Sequence, residues 1–172
     1  MLFSFKHRFV PLLLDGSKTH TIRALRKDGK VAKVGETAHC FMNARQKSMT
    51  LLGRWTVARV EEFEVYTRGD GTLAPMVDGE VLSLDEKNAL AYRDGFRSED
   101  PFLEMTRYWL SDLRVQGKII GICVTKKCKP LEPKVVEGEG INFVGHITHW
   151  KFDPQTRNPN WPEILARLET TK

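Results

Sequence analysis

One stretch decides the fold of this chain: Asp15-Gly16-Ser17-Lys18-Thr19-His20-Thr21-Ile22-Arg23. The apolar residues of the preceding segment, Phe9 to Leu14, recur at helical spacing. Gly16 stands where helices often end in a left-handed residue. The residues from Thr19 to Arg23 are rich in β-branched side chains, which favour strands. We therefore predict a short helix over residues 8–15, a glycine turn and a strand over residues 19–23.

The same stretch is unusually rich in hydrogen-bonding side chains. A lysine, three hydroxyl groups and an arginine fall between Ser17 and Arg23, directly after the apolar segment. Such a set of donors beside an apolar surface is typical of a site for a polar, partly aromatic ligand. We therefore predict that the stretch lines a pocket for a nucleobase or nucleotide.

The composition is that of one ordinary globular domain. The chain has 172 residues, of which 41% are hydrophobic and 28% charged. No run approaches the roughly 18 apolar residues of a membrane helix, so no membrane partner is expected. The basic N-terminal residues superficially resemble a secretory signal, but the apolar run after them is short and contains Pro11. Three cysteines without a framework spacing favour a reducing, cytoplasmic location.

The net charge favours polyanionic partners. The chain carries 27 Lys and Arg against 22 Asp and Glu, a formal charge of +5, which suits nucleic acid without requiring it. Basic residues cluster in two polar segments, and tryptophans could stack with the bases of single-stranded RNA. The alternatives are solvated lysines and buried tryptophans. The residues concerned are Arg26, Lys27, Lys30, Lys33, Arg45 and Lys47, with Trp55, Trp150 and the lysines of 126–134.

Strands dominate both ends of the chain, and helices gather in the middle. We predict strands over residues 2–5, 37–42, 51–65, 118–125 and 142–152. Ser83 and Glu86 form a capping-box pattern for a helix to Arg93, and Asp100-Pro101 opens a second helix. Asn160 and Glu163 give a further capping pattern for a short C-terminal helix. Residues 66–79 are predicted as a loop or flexible hairpin, and 126–140 as an irregular loop. The pattern predicts an α+β domain with a mixed sheet or small barrel.

The opening stretch resembles the signature of the ASCH family, which belongs to the PUA-like superfamily. The matching residues are Gly16-x-Lys18-Thr19-x-Thr21-Ile22-Arg23, followed in order by Val34-Gly35-Glu36, Ala91-x-x-Asp94-Gly95-Phe96 and the run from Lys118 to Val124. The resemblance implies a PUA-like β-barrel of mixed or antiparallel strands with helices packed at its side. This domain would span residues 1–152. Residues 153–172 would form a C-terminal extension whose short helix packs on the same domain.

The resemblance also implies a function. ASCH members are expected to bind RNA or a (modified) nucleotide or nucleoside, here in a cleft lined by the motif. The ligand contacts would come from Thr19, His20, Arg23, Gly95 and Phe96. No cofactor and no metal are implied, and the oligomeric state stays open.

Two enzymatic alternatives accompany this expectation. Some members similar in the motif are amidohydrolases acting on N4-acetylcytidine, and their catalytic set would fall on Lys18, Thr21 and Asp94. The acid in those enzymes is glutamate, so Asp94 is shorter by one methylene. A ribonuclease is the further alternative, although the sequence shows no pair of histidines at a suitable spacing.

The chemistry of the three candidate catalytic residues leaves their roles open. Burial would lower the pKa of Lys18 and make it a base, whereas a nearby Asp94 would keep it charged. Residues 18 and 21 have opposite parity on a strand, so their side chains converge only if a turn or bulge intervenes. The alternatives are a solvated turn lysine, a strand-filling Thr21, a surface ion pair for Arg23 and turn chemistry for Asp94.

Two further patterns carry less weight. Cys123, Cys128, His146 and His149 offer four zinc ligands, but the cysteine spacing is wide and the histidines have opposite parity on a strand. We therefore predict no metal site. Gly16-Ser17-Lys18-Thr19 contains only the second half of a phosphate-binding loop and leads into a strand, so a mononucleotide kinase is not expected.

Overall fold

The structure, a computed structural model, describes residues 1–26, 28–68, 72–115 and 141–170. The strands in these ranges are β1 (Leu2–Phe5), β2 (His20–Ala24), β3 (Thr37–Met42), β4 (Thr50–Thr67), β5 (Leu73–Val77), β6 (Glu80–Val81) and β7 (Ile141–Lys151). The helices are α1 (Val10–Leu14), α2 (Leu84–Arg93), α3 (Pro101–Val115) and α4 (Trp161–Glu169). Short 3₁₀ turns cover His7–Phe9 and Pro154–Thr156.

All of these strands belong to one mixed sheet. β1 runs parallel to β3, and β3 runs antiparallel to β4. β4 continues through the antiparallel strands β5 and β6, and it also pairs with β7, which in turn pairs antiparallel with β2. The α+β class with mixed strands is therefore confirmed. A PUA-like barrel stays a prediction.

The described chain divides into two compact units. The first consists of Met1–Glu62, Arg93–Gly95 and Gly145–Lys172, and the second of Phe63–Tyr92 and Phe96–Val144. In the second unit, Phe63, Trp109 and Phe143 form an aromatic cluster, with Trp109 and Phe143 stacked at 5.3 Å between ring centroids. Phe102 and Met105 of α3 are buried, as the apolar spacing of that helix predicts.

The sheet of the first unit curls. Trp150 of β7 packs on Phe3 and Phe5 of β1, although these strands are separated by β3 and β4 along the sheet. Trp150 also stacks on Trp55 at 6.0 Å between ring centroids, and both tryptophans are buried. They therefore form the core and do not offer a surface on which RNA bases could stack.

Local capping signals gave mixed results. The hydroxyl of Ser83 accepts from the Glu86 amide, and the Glu86 carboxylate accepts from the Ser83 amide, which confirms the capping box. Asp100 accepts from the Leu103 amide, as a cap should. Asn160 precedes the first residue of α4, as predicted, but its side chain makes no capping hydrogen bond.

The segment from residue 66 to 79 was predicted as a loop or flexible hairpin, and the structure shows a hairpin. It contains β5, which forms a hairpin with β4 and then pairs with the short β6. The predicted strand over 118–125 and the predicted loop over 126–140 lie outside the described residues.

The C-terminal segment is tied to the first unit by backbone-directed hydrogen bonds. Arg157 donates to the Leu14 carbonyl at 3.0 Å, and the Asn158 side chain donates to the Leu51 carbonyl at 2.6 Å. Residues 157 and 158 are therefore held against the first unit, and the predicted packing of the helix in this segment stays a prediction. The predicted boundary between residues 152 and 153 stays a prediction.

None of the helices in the described ranges has the length and apolar character needed to cross a membrane. The cytoplasmic location stays a prediction.

Candidate functional site

Lys18 is held in the interior by the turn that precedes β2. Its amide donates to the Leu12 carbonyl at 2.7 Å, directly after Gly16 reverses the chain with φ of +81°. The side chain then runs inward, and its ammonium lies 5.0 Å from the centre of the Phe9 ring. Only 1% of Lys18 is exposed. The alternative of a solvated turn lysine is therefore wrong.

Asp94 meets Lys18 from the end of α2. Lys18 Nζ donates to both the backbone carbonyl and the carboxylate Oδ1 of Asp94. The next residue, Gly95, has φ of +102° and lies close to Phe9 and Leu12. Because a side chain at this position would press on both residues, the glycine lets the helix end approach α1 closely enough to deliver Asp94.

Burial governs the electrostatics of this pair. Desolvation lowers the pKa of Lys18, and Asp94 opposes that shift. Desolvation likewise raises the pKa of Asp94, and Lys18 opposes it. Burial therefore works against both charges, and each group is the main compensation for the charge of the other.

His20 extends the pair along β2. Its Nε2 lies 3.6 Å from Asp94 Oδ1 and has no hydrogen-bond partner among the described residues. Burial, followed by electrostatic interactions with Lys18, His149 and Arg93, lowers the pKa of His20 to about 2. His20 is therefore a neutral imidazole at physiological pH.

A second histidine stacks beside it. His20 and His149 are opposite each other in the β2–β7 ladder, and their ring centroids are 5.2 Å apart. His149 Nε2 is hydrogen-bonded to the Glu61 carboxylate on β4. Arg59 donates an ion-paired hydrogen bond at 2.6 Å to the other oxygen of Glu61. The buried pair thus continues into a polar network that ends at the surface, where 65% of the Arg59 side chain is exposed.

Thr21 and Arg23 lie on the opposite face of β2 from His20 because residues alternate along a strand. Thr21 is buried and pairs in register with Thr148. The Arg23 guanidinium donates to the Ser4 carbonyl and lies 5.1 Å from the centre of the Phe5 ring. The structure thus brings Lys18, Asp94 and His20 together. Lys18 lies in the turn before β2, so the alternation of that strand separates Thr21 from His20 but not from Lys18.

Two other predicted ligand contacts, Thr19 and Phe96, are held by a main-chain hydrogen bond and by core packing. The Thr19 carbonyl accepts from the Trp150 amide at 2.9 Å. Phe96 belongs to the second unit, where it is fully buried and meets Tyr108 edge-on at 5.5 Å between ring centroids. Catalytic and ligand-binding roles for all eight predicted residues stay predictions.

The sequence did not indicate Glu61 or the site role of His149. His149 was weighed only as a zinc ligand, and Glu61 lies within a β-prone run where a carboxylate is typically solvent-facing. A signal was present in the alternation of β4, which places Arg59 and Glu61 on one face. Cys123 and Cys128 of the alternative zinc set lie outside the described residues.

The chain was compared with family models, curated proteins and solved structures, and none of them matches it. The ASCH resemblance therefore stays a prediction carried by the motif alone. Any function has to be argued from the geometry of the site.

Proposed function

We propose that the chain is an ASCH-type, PUA-like domain that binds RNA or a nucleotide beside the network of Lys18, Asp94, His20, His149 and Glu61. One observation carries the proposal. Arg59 on β4 is ion-paired at 2.6 Å with Glu61, which also binds the partly exposed imidazole of His149, and 65% of the Arg59 side chain is exposed. Arg93, at the exposed end of α2, helps to lower the pKa of the same imidazole. Two arginines beside a neutral hydrogen-bonding ring form a surface suited to a phosphate and its attached sugar.

The chemistry of these side chains matches RNA. Guanidinium groups hold phosphate oxygens through paired, charge-assisted hydrogen bonds, and each has five donors. The second nitrogen of His149 can accept a hydrogen bond from a ribose 2′-hydroxyl, the group that distinguishes RNA from DNA. The net charge of +5 adds long-range attraction for the polyanion.

Lys18 has a supporting role in this proposal. Its ammonium already donates twice to Asp94 and is shielded from solvent. A phosphate would have to displace a buried, charge-neutralising partner to reach it, at a large desolvation cost. The buried pair instead fixes the end of α2, and with it Arg93, against β2.

Fluorescence anisotropy with a short single-stranded RNA tests the binding proposal. We expect binding at low salt that weakens linearly with the logarithm of salt concentration. Arg59→Gln and Arg93→Gln should each weaken binding. Each should also lower the slope of log affinity against log salt concentration by about one. Arg107→Gln, an exposed arginine on α3, is the matched control. The absence of binding at low salt, or wild-type affinity in both variants, would reject the proposal.

The amidohydrolase on N4-acetylcytidine is the second candidate. It is favoured by the contact of Lys18 with Asp94 and by the lowered pKa of the lysine. Thr21, the expected nucleophile, lies on the other face of β2 from His20, which weighs against it. Release of cytidine should be lost in Lys18→Ala and in the near-isosteric Thr21→Val, but kept in Thr148→Val. Equal rates in all variants, or no turnover by the wild type, would exclude this activity.

A further inference from the structure

Lys18 and Asp94 bring an amine and a carboxyl group together inside the protein. Lys18 Nζ is held at two points, by the backbone carbonyl of Asp94 and by its carboxylate Oδ1. The nitrogen therefore lies next to the carboxyl carbon, which is bonded to the oxygen that the nitrogen contacts. Rotation about the terminal bond of an aspartate is broadly permitted, and it turns the face of that carbon towards the nitrogen. Condensation of the two groups to an amide requires this arrangement.

The surroundings of the pair exclude water. Only 2% of the Lys18 side chain and 7% of the Asp94 side chain are exposed. The Phe9 ring lies 5.0 Å from the ammonium, and His20 is buried beside the carboxylate. In water, hydration favours the two separate ions over an amide. Burial removes most of that hydration, and it also keeps away the water that would hydrolyse the product.

Condensation needs a neutral amine and a protonated acid. Desolvation lowers the pKa of Lys18 and raises the pKa of Asp94, and the attraction between the two groups opposes each shift without cancelling it. Burial thus shifts each group towards the form that reacts. A lysine whose pKa is lowered by an apolar site is also an activated nucleophile.

We propose that Lys18 and Asp94 join in a spontaneous isopeptide bond, so that the chain carries an internal covalent cross-link. The proposal is independent of RNA binding. The ion pair is the state of the newly folded chain, and the amide accumulates from it. Well-oriented groups react as if each were present at an effective concentration of about 10⁵ to 10⁸ M, so neither an enzyme nor an activated acyl donor is needed.

The reaction balances with the atoms of the pair. A proton passes from the Lys18 ammonium to the Asp94 carboxylate, and the neutral Nζ then attacks Cγ. The new bond joins Nζ to Cγ, and the bond from Cγ to one carboxyl oxygen breaks. That oxygen leaves as water, with its own hydrogen and a second hydrogen from Nζ. His20 Nε2 lies 3.6 Å from Oδ1, has no hydrogen-bond partner among the described residues and can relay this second hydrogen.

The cross-link has a defined structural role. Lys18 and Asp94 are 76 positions apart in the sequence. Asp94 belongs to the short segment Arg93–Gly95, which is part of the first unit although the residues on both sides of it belong to the second. A covalent bond here ties that segment to the turn before β2. It also closes a long loop in the unfolded chain, which then gains less conformational entropy on unfolding.

Mass spectrometry of the intact chain tests the proposal. As the folded wild type is incubated, it should become lighter than its sequence by one molecule of water. A tryptic digest should then contain residues 9–23 joined to residues 94–97. Lys18→Met should keep the full mass, and Asp94→Asn should lose one molecule of ammonia instead. Lys47→Met, at an exposed position, is the matched control and should lose water as the wild type does.

The wild type alone decides the question if a variant fails to fold. Incubation in urea should stop the loss of water, because unfolding separates the two groups, and continued loss would overturn the proposal. A folded wild type that keeps its full mass after prolonged incubation would also overturn it. Loss of water without the joined peptides would do the same, since an aspartate before glycine can lose water by closing on the following amide.

Discussion

Lys18 and Asp94 each depend on the other to remain in the protein interior. Both are almost fully buried, at 1% and 5% exposure, so neither charge can be replaced by water. Removing one partner of a buried pair leaves the other uncompensated, whereas replacing both by apolar groups is much less costly. Lys18, which the sequence predicts as a catalytic residue, is thus also one half of a buried ion pair in the first unit.

Lys18→Met should therefore lower the free energy of unfolding by about 3–5 kcal/mol. The double variant Lys18→Met/Asp94→Leu should recover most of that loss because no buried charge remains. Urea unfolding followed by circular dichroism measures both. Lys47→Met, at an exposed position, is the control and should change stability by less than about 0.5 kcal/mol. A double variant as unstable as the single one would contradict the pairing.

At the level of single elements, Ser83 and Asn160 belong to similar helix-capping patterns in the sequence but behave differently in the structure. The Ser83 side chain caps α2, and the Asn160 side chain does not cap α4. Ser83→Ala should cost about 1 kcal/mol, and Asn160→Ala should be close to neutral. Thermal unfolding of both variants compares them directly. Similar losses in the two would show that the capping bond at Ser83 is not the source of stability.

The turn between α1 and β2 requires glycine at position 16 for a steric reason as well as for its backbone conformation. A Cβ on Gly16 would lie 2.7 Å from the Phe152 ring, in addition to the strain of its positive φ. Gly35 has a similar φ of +85° but opens on free space. Gly16→Ala should therefore exceed Gly35→Ala in destabilisation by about 1–3 kcal/mol, the usual cost of overpacking. Equal losses in urea unfolding would mean that only backbone strain acts at both sites.

At the scale of the whole molecule, the buried neutral His20 makes the free energy of unfolding depend on pH in the acid range. His20 has a pKa of about 2 in the folded state against 6.5 for the free side chain. The unfolded chain therefore binds one more proton below pH 6.5, and stability falls as the pH is lowered through that range. The slope from this group approaches about 1.4 kcal/mol per pH unit.

Replacing His20 should make the free energy of unfolding depend less steeply on pH in the acid range. Stability measured by urea unfolding between pH 6.5 and pH 4.5 should fall less steeply in His20→Leu than in the wild type. His7→Gln, an exposed histidine, should keep the wild-type slope. A His20→Leu slope equal to that of the wild type would show that His20 titrates normally in the folded chain.

Local signals predicted much of the fold, and non-local pairing supplied the rest. The helix–turn–strand around Gly16, the capping box and the long β4 all follow from neighbouring residues, since turn and capping chemistry is local. The convergence of Lys18 with Asp94 was expected only from the family resemblance. The stacking of His20 on His149 depends on strand register, which no short-range pattern encodes. Parity predicted that Lys18 and Thr21 converge only if a turn or bulge intervenes, and Lys18 does lie in the turn before β2.

The β2–β7 ladder also has a consequence for the order of folding. β2 is synthesised well before its partner β7, because the paired residues lie far apart in the sequence. Pairings between distant segments close large loops and form slowly. Until β7 arrives, β2 exposes an unpaired edge together with the interior face that carries His20. The nascent chain therefore leaves β2 unpaired until β7 has been made, and we expect a chaperone to bind this exposed strand.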